Sequence, residues 1–155
     1  MNHRNVKIES QLLITGLQVR TINTNEFNPE TAKIMGLWED FHNTPLISQL
    51  SEKDPFIYGV YSDYQSDENG EYSVTAGINA VNTTSQDHNL QEVVIHPGNY
   101  LVFEARGELP GAIIETWQYI WKYFSAPSNP KRKFTSDFEK YISETEVDIH
   151  IAVED

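Results

Sequence analysis

The sequence predicts an α+β fold: a duplicated β-α-β-β unit with pseudo-twofold symmetry, forming a mixed, mostly antiparallel sheet of about eight strands packed by two helices. Three observations lead there. Several short segments alternate apolar and polar residues, the period of a half-buried strand. Two longer segments carry apolar residues at helical spacing. The order of these segments in the first half of the chain recurs in the second.

The first copy, about residues 5–81, opens with the alternating run ITGLQVRTI. NPETAKIMGLWEDF follows as a helix, with Asn28 as N-cap, Pro29 at the first helical position and Glu30 near the positive end of the dipole. Ile34, Leu37, Trp38 and Phe41 form its apolar stripe. FIYGVYSDY and YSVTAGINA read as two strands joined through Asn69-Gly70, a tight-turn signal. The connection to the next copy is the loop 82–90, NTTSQDHNL.

The second copy, about residues 90–155, repeats the order. LQEVVIHPGNYLVFEARG reads as one strand interrupted or bulged at Pro97-Gly98. GELPGAIIETWQYIWKYF is a helix with Ile113, Trp117, Ile120, Trp121 and Phe124 on one side. After a loop over 125–133, RKFTSDFEKYI and EVDIHIAVED complete the set as strands. Trp38 to Phe41 aligns with Trp121 to Phe124, and Tyr61 to Tyr64 with Phe138 to Tyr141. Two such units side by side leave a cleft at their junction, between helices and sheet, where a ligand is expected.

Bulk properties restrict the function classes. The chain has 155 residues, 39% of them hydrophobic, which fits one folded domain that takes up the whole length. With no cysteine, disulfides, thiolate metal sites and a cysteine nucleophile are excluded. A net charge of -12 argues against direct nucleic-acid binding, and the basic cluster Lys131-Arg132-Lys133 falls in a predicted loop. The N-terminus lacks an apolar stretch of signal-peptide length and no membrane-spanning run follows, so a cytoplasmic protein is expected. His3, His42, His88, His96 and His150 have no metal-ligand spacing and read as surface or turn residues. No phosphate-binding, dinucleotide-binding or nucleophile-elbow motif is present, so neither metal nor cofactor is expected.

Three segments together resemble the AraC-type effector-binding, gyrase-inhibitor-like superfamily: NPETAKIMGLWEDF, then IHPGNYLVFEARG with TWQYIWKYF, then DFEKYISETEVDIHIAVED. The resemblance covers nearly the whole chain, in order. It is closest in kind to stand-alone members, such as the cationic-drug-binding proteins of mobile gene cassettes, without an attached DNA-binding domain. It implies a site for small lipophilic cations between the two halves, with an acid of the Phe-Glu-x-Tyr strand, here Glu139, inside an aromatic cavity.

Strand alternation puts Asp137, Glu139 and Tyr141 on one face and Phe138, Lys140 and Ile142 on the other. A carboxylate taken out of water lacks a counter-charge until a cation supplies one. Trp38, Trp117, Trp121 and Tyr58 are the expected aromatic contacts, Trp121 ahead of Trp117 because its repeat partner is Trp38. Tyr141 shares the face of Glu139, and Ser62 is the aligned position in the first copy. Tyr61, Phe103 and Phe138 read as packing residues. Two rival readings stand beside cation binding. One is a hydrolase of reactive electrophiles with Glu139 as base and Tyr141 positioning substrate. The other is a protein-binding module of the gyrase-inhibitor kind.

Overall fold

A computed structural model describes residues 3–79 and 90–155. The expected α+β class holds, with eight strands in one curled antiparallel sheet and three helices. The strands are β1 (His3–Ile8), β2 (Leu12–Ile22), β3 (Ile57–Ser62), β4 (Glu71–Ile78), β5 (Gln91–Ile95), β6 (Gly98–Arg106), β7 (Ser136–Ser143) and β8 (Glu146–Ala152). The helices are α1 (Asn23–Glu26), α2 (Ile34–His42) and α3 (Gly111–Ser125). Residues 82–89 of the expected inter-copy loop, with His88, lie outside the described residues.

Sheet order is β1-β6-β8-β7-β3-β4-β2-β5, every pairing antiparallel. The duplication is visible in that order. β6, β8 and β7 of the second copy mirror β2, β4 and β3 of the first, and β7 and β3 meet at the centre. Each copy lends its first strand to the other: β1 pairs with β6, and β5 with β2. The unit is therefore β-β-α-β-β, one strand longer than expected. The segment expected as one bulged strand at Pro97-Gly98 is two strands, because Pro97 has no amide hydrogen for a ladder and Gly98 sits at a φ of +142°.

Two helices cover one face of the sheet from opposite sides. α2 lays Leu37 and Phe41 against Tyr72, Val74, Ala76 and Ile78 of β4. α3 lays Ala112 and Ile120 against Phe103 of β6 and Val147, Ile149 and Ile151 of β8. Neither is centred over β3 and β7, and the space between them stays open. The reverse face of those two strands carries its own cluster, Tyr58, Val60 and Phe138 with Ile14, Ile95 and Tyr100, onto which β5 folds. There His150 is buried rather than exposed; its ring stacks on Phe138 at 4.1 Å, and burial pushes its pKa down to about 4.

The start of α2 differs from expectation. Asn28 closes a local turn by accepting the Glu30 amide at 3.0 Å, and the helix begins only at Ile34. Its first amides are capped by a carboxylate from α1: Glu26 accepts from Lys33 N at 2.9 Å and Ile34 N at 3.1 Å. Those are the donors a helix start leaves without partners, and a two-oxygen acceptor from the preceding element serves two at once. The rest of the expected stripe on α2 is in place.

No helix among the described residues is long and apolar enough to cross a membrane. Among the same residues, no group of three His, Asp or Glu side chains is arranged to hold a metal ion.

Candidate functional site

The open space over β3 and β7 is a cavity of about 660 Å³. Antiparallel register explains its floor. Residues directly opposite share a face, so Ile57, Gly59 and Tyr61 of β3 lie on the same side as Tyr141, Glu139 and Asp137 of β7. Of these, Ile57, Tyr61, Glu139 and Tyr141 line the cavity. Trp38 enters from α2, and Trp117 and Trp121 from the flank of α3 that its core contacts leave free. Phe27, Met35 and Ile114 form an exposed apolar rim, at 72%, 70% and 54% of their full exposure.

Glu139 is 2% exposed and has no cationic partner among the described residues. Three neutral groups hold it instead. Tyr141 Oη donates to Oε1 at 2.9 Å, Tyr61 Oη to Oε2 at 2.9 Å, and Trp117 Nε1 to Oε2 at 2.7 Å. Burial pushes the Glu139 pKa up, and the hydrogen bonds from Trp117, Tyr61 and Tyr141 act against that rise. An indole N–H can only donate, so Trp117 keeps Oε2 an acceptor. The two tyrosines are driven well above their ordinary pKa, first by burial and then by the neighbouring carboxylate. The result is a buried carboxyl group held by three neutral hydrogen-bond donors, with no cation beside it among the described residues.

The next acid on the strand is handled differently. Asp137, fully buried, pairs with Arg132 Nη2 at 2.8 Å and accepts from Tyr64 Oη at 2.5 Å and Ala152 N at 2.8 Å. Two buried carboxylates thus stand two residues apart, one with its counter-ion and one without.

Among the residues expected from sequence, Glu139, Trp38, Trp117, Trp121 and Tyr141 all line the cavity. Trp117, expected behind Trp121, is the one bonded to the carboxylate. Tyr58 and Ser62 are not brought there. Both belong to the even-numbered positions of β3, opposite Lys140 and Ser136, and face the reverse side. Tyr58 Oη donates to Asp54 at 2.9 Å, and Ser62 Oγ is buried without a partner among the described residues. In the β3–β7 register Gly59 and not Ser62 stands opposite Glu139, and an odd-numbered offset along a strand inverts the face. Tyr61, expected as a packing residue, lines the cavity and donates to Glu139. The signal for it was its alternation with Gly59, but that required knowing which strand lies opposite. Arg132 was lost in an apparent basic loop, and nothing local marks its pairing with Asp137.

Known proteins give this geometry its context. The solved integron cassette protein VCH_CASS2 from the mobile metagenome of Vibrio cholerae superposes with a TM-score of 0.86 at 36% identity, covering 98% of this chain and 95% of its own. YobU of Bacillus subtilis (strain 168), a candidate transcriptional regulator by name, is 31% identical over 135 residues, 81% of this chain and 78% of its own. SAV2435, solved bound to tetraphenylphosphonium, shares the fold with a TM-score of 0.75 at 18% identity, covering 99% and 94% of the two chains. Residues 8–153 match the family described as Cass2, integron-associated effector binding protein, and the chain belongs to that family.

Proposed function

We propose that this protein binds lipophilic organic cations in the cavity over β3 and β7, with Glu139 supplying the charge and aromatic rings the walls. One observation carries the reading: a buried carboxylate, held by three neutral donors and by no cation among the described residues, on the floor of an aromatic cavity. An ionised group in low dielectric costs several kcal/mol less once an opposite charge lies nearby. A guest cation supplies that charge. A neutral guest leaves the cost in place, and an anion raises it. Faces of Trp and Tyr add about 0.5–2 kcal/mol each toward a cation they can stack on. The net charge of -12 favours the approach of such ligands. Tetraphenylphosphonium in the related SAV2435 structure is consistent with this ligand class.

Binding accounts for the site better than hydrolysis. Both Glu139 oxygens already accept hydrogen bonds from fixed donors, an arrangement for holding charge rather than for taking a proton from water.

The test is a pair of ions alike in shape and opposite in sign. Calorimetric titration should detect tetraphenylphosphonium binding and little or no tetraphenylborate binding, and Glu139→Gln should weaken the phosphonium at least about 10-fold, or 1.4 kcal/mol. Equal affinity for the two ions, or full phosphonium affinity in the variant, refutes the reading.

A further inference from the structure

The cavity has a second polar end. Arg132 lines it, with its side chain 6% exposed and its guanidinium 4.4 Å from the centre of the Phe134 ring. A guanidinium carries five N–H donors. In Arg132 only Nη2 meets an acceptor among the described residues, the carboxylate of Asp137. Nε is buried without a partner, and Nη1 donates to nothing among those residues. Unused donors on a buried cation are costly. Structural ion pairs in cores are normally satisfied on all sides, and this one is left incomplete on a wall of the cavity.

Charge decides which partner suits it. Asp137 already balances Arg132, and Glu68, another lining residue, is close enough to strengthen its charged form. The local sum of one cation and two carboxylates is negative, so an anionic ligand group is disfavoured there. A neutral acceptor, the oxygen of a carbonyl, ester or ether, meets Nη1 without that repulsion, whereas Nε is closed off from solvent.

We propose that the Arg132 end is a subsite for a neutral hydrogen-bond acceptor, so that the preferred ligand is a lipophilic cation bearing a carbonyl or ether oxygen at a set distance from its charge. This rests on the cation-binding reading of the same cavity. The spacing follows from the strand. Asp137 and Glu139 are two residues apart on one face, about 7 Å, and Arg132 binds the former. The rings of Tyr64, Tyr72 and Tyr61, in contact in that order, form the wall between Arg132 and Glu139. A linker of three to five methylenes spans roughly that distance at about 1.3 Å per bond.

The experiment uses alkyltriphenylphosphonium ions whose chain ends, after three, four or five methylenes, in a methyl ester, a free carboxylate or an alkyl group of equal length. For at least one length the ester should bind about 5- to 10-fold more tightly than the alkyl control, the net worth of one ordinary hydrogen bond. The carboxylate should bind more weakly than the ester. In the double variant Arg132→Met, Asp137→Asn, which removes the pair without stranding a charge, the ester-to-alkyl affinity ratio should fall to about one or below. The ester-to-alkyl ratio in the unaltered protein is informative even if that variant does not fold. Equal ester and alkyl affinities at every length overturn the subsite but leave cation binding intact. An ester advantage that survives in a folded double variant likewise overturns it. Absence of binding by all three ligand types overturns both readings.

Discussion

Gly59 lies directly opposite Glu139 across the central β3–β7 pair, and its lack of a side chain makes room for the site. A Cβ at this position would stand 2.9 Å from Cζ2 of Trp38 and 3.0 Å from Oε1 of Glu139. The indole of α2 and the carboxylate of β7 therefore converge over one missing methyl group. Trp38 also packs on Tyr141 with ring centres 5.0 Å apart, and Tyr141 in turn donates to Glu139.

Gly59→Ala is accordingly a steric probe of the floor. Gly59 lies within a paired strand at no unusual φ, so the backbone accepts alanine. The methyl group displaces Trp38 or the carboxylate, and overpacking of this kind costs about 1–3 kcal/mol. A melting temperature lowered by several degrees and phosphonium affinity reduced about 10-fold are expected. Intact affinity with an unchanged tryptophan emission spectrum would show that the floor tolerates the intrusion.

Replacing the charge itself should act in opposite directions on stability and binding. The folded-state pKa of Glu139 lies above its unfolded value. The folded protein thus binds the proton more tightly, and its stability falls as pH rises through the window above the unfolded pKa of about 4.3. Glu139→Gln removes that loss: Oε1 of glutamine can accept from Trp117 and Tyr61, and its amide can donate to Tyr141. Without ligand, the variant at pH 7.5 should melt about 2–4 °C higher than the parent, the equivalent of about 1 kcal/mol in a chain of this size. A large drop in melting temperature would mean that the carboxylate stabilises the empty fold.

How far the sequence discloses such relationships depends on range. Periodicity within a segment located β2, β3, β4, β7, β8 and both long helices, because one face of each had to be buried, whereas β5 and β6 read as one bulged strand and β1 was not seen. The acid was legible through alternation with Phe138 and Lys140, and through the ordered motifs that surround it. What escaped depends on partners distant in sequence. Tyr61 and Glu139 are 78 positions apart and meet only because β3 and β7 pair at the pseudo-twofold axis. Ser62 falls on the face opposite to Glu139, because any odd-numbered offset in aligning two short strands inverts every side chain. Asn28 looked like a cap, while the acceptor in use, Glu26, arrives from a separate short helix that no periodicity marks.

Ligand affinity should depend on acidity in a defined direction. On the proposed reading the ionised form of Glu139 is the one that takes a cation, so a proton and the ligand should compete for it. Because burial raises the pKa, the loss of affinity on acidification begins above the ordinary carboxylate range. Below that raised pKa, affinity falls up to about 10-fold per pH unit until protonation of the bound complex begins. A permanently charged phosphonium ligand keeps its own charge constant across the titration. Calorimetry from pH 8 to 5 measures the trend, which should flatten in Glu139→Gln. An affinity independent of pH would place the charge recognition elsewhere.

The two tryptophans of α3 should separate in the same assay. Trp117 donates to Glu139 Oε2 at 2.7 Å, whereas Trp121 lines the wall beside it, tilted against Trp117 with ring centres 6.2 Å apart. Trp117→Phe keeps an aromatic surface but removes a donor to the ionised acid, so the Glu139 pKa rises further. The variant should lose affinity most at low pH and recover toward the parent as pH rises and the acid ionises again. Trp121→Phe reduces ring area without touching the carboxylate, so its smaller deficit, about 3-fold, should stay constant with pH. Parallel pH profiles for the two variants would separate the Trp117 hydrogen bond from the charge of the site. Profiles that diverge below neutrality would identify that N–H as the group keeping Glu139 ionised where a cation needs it.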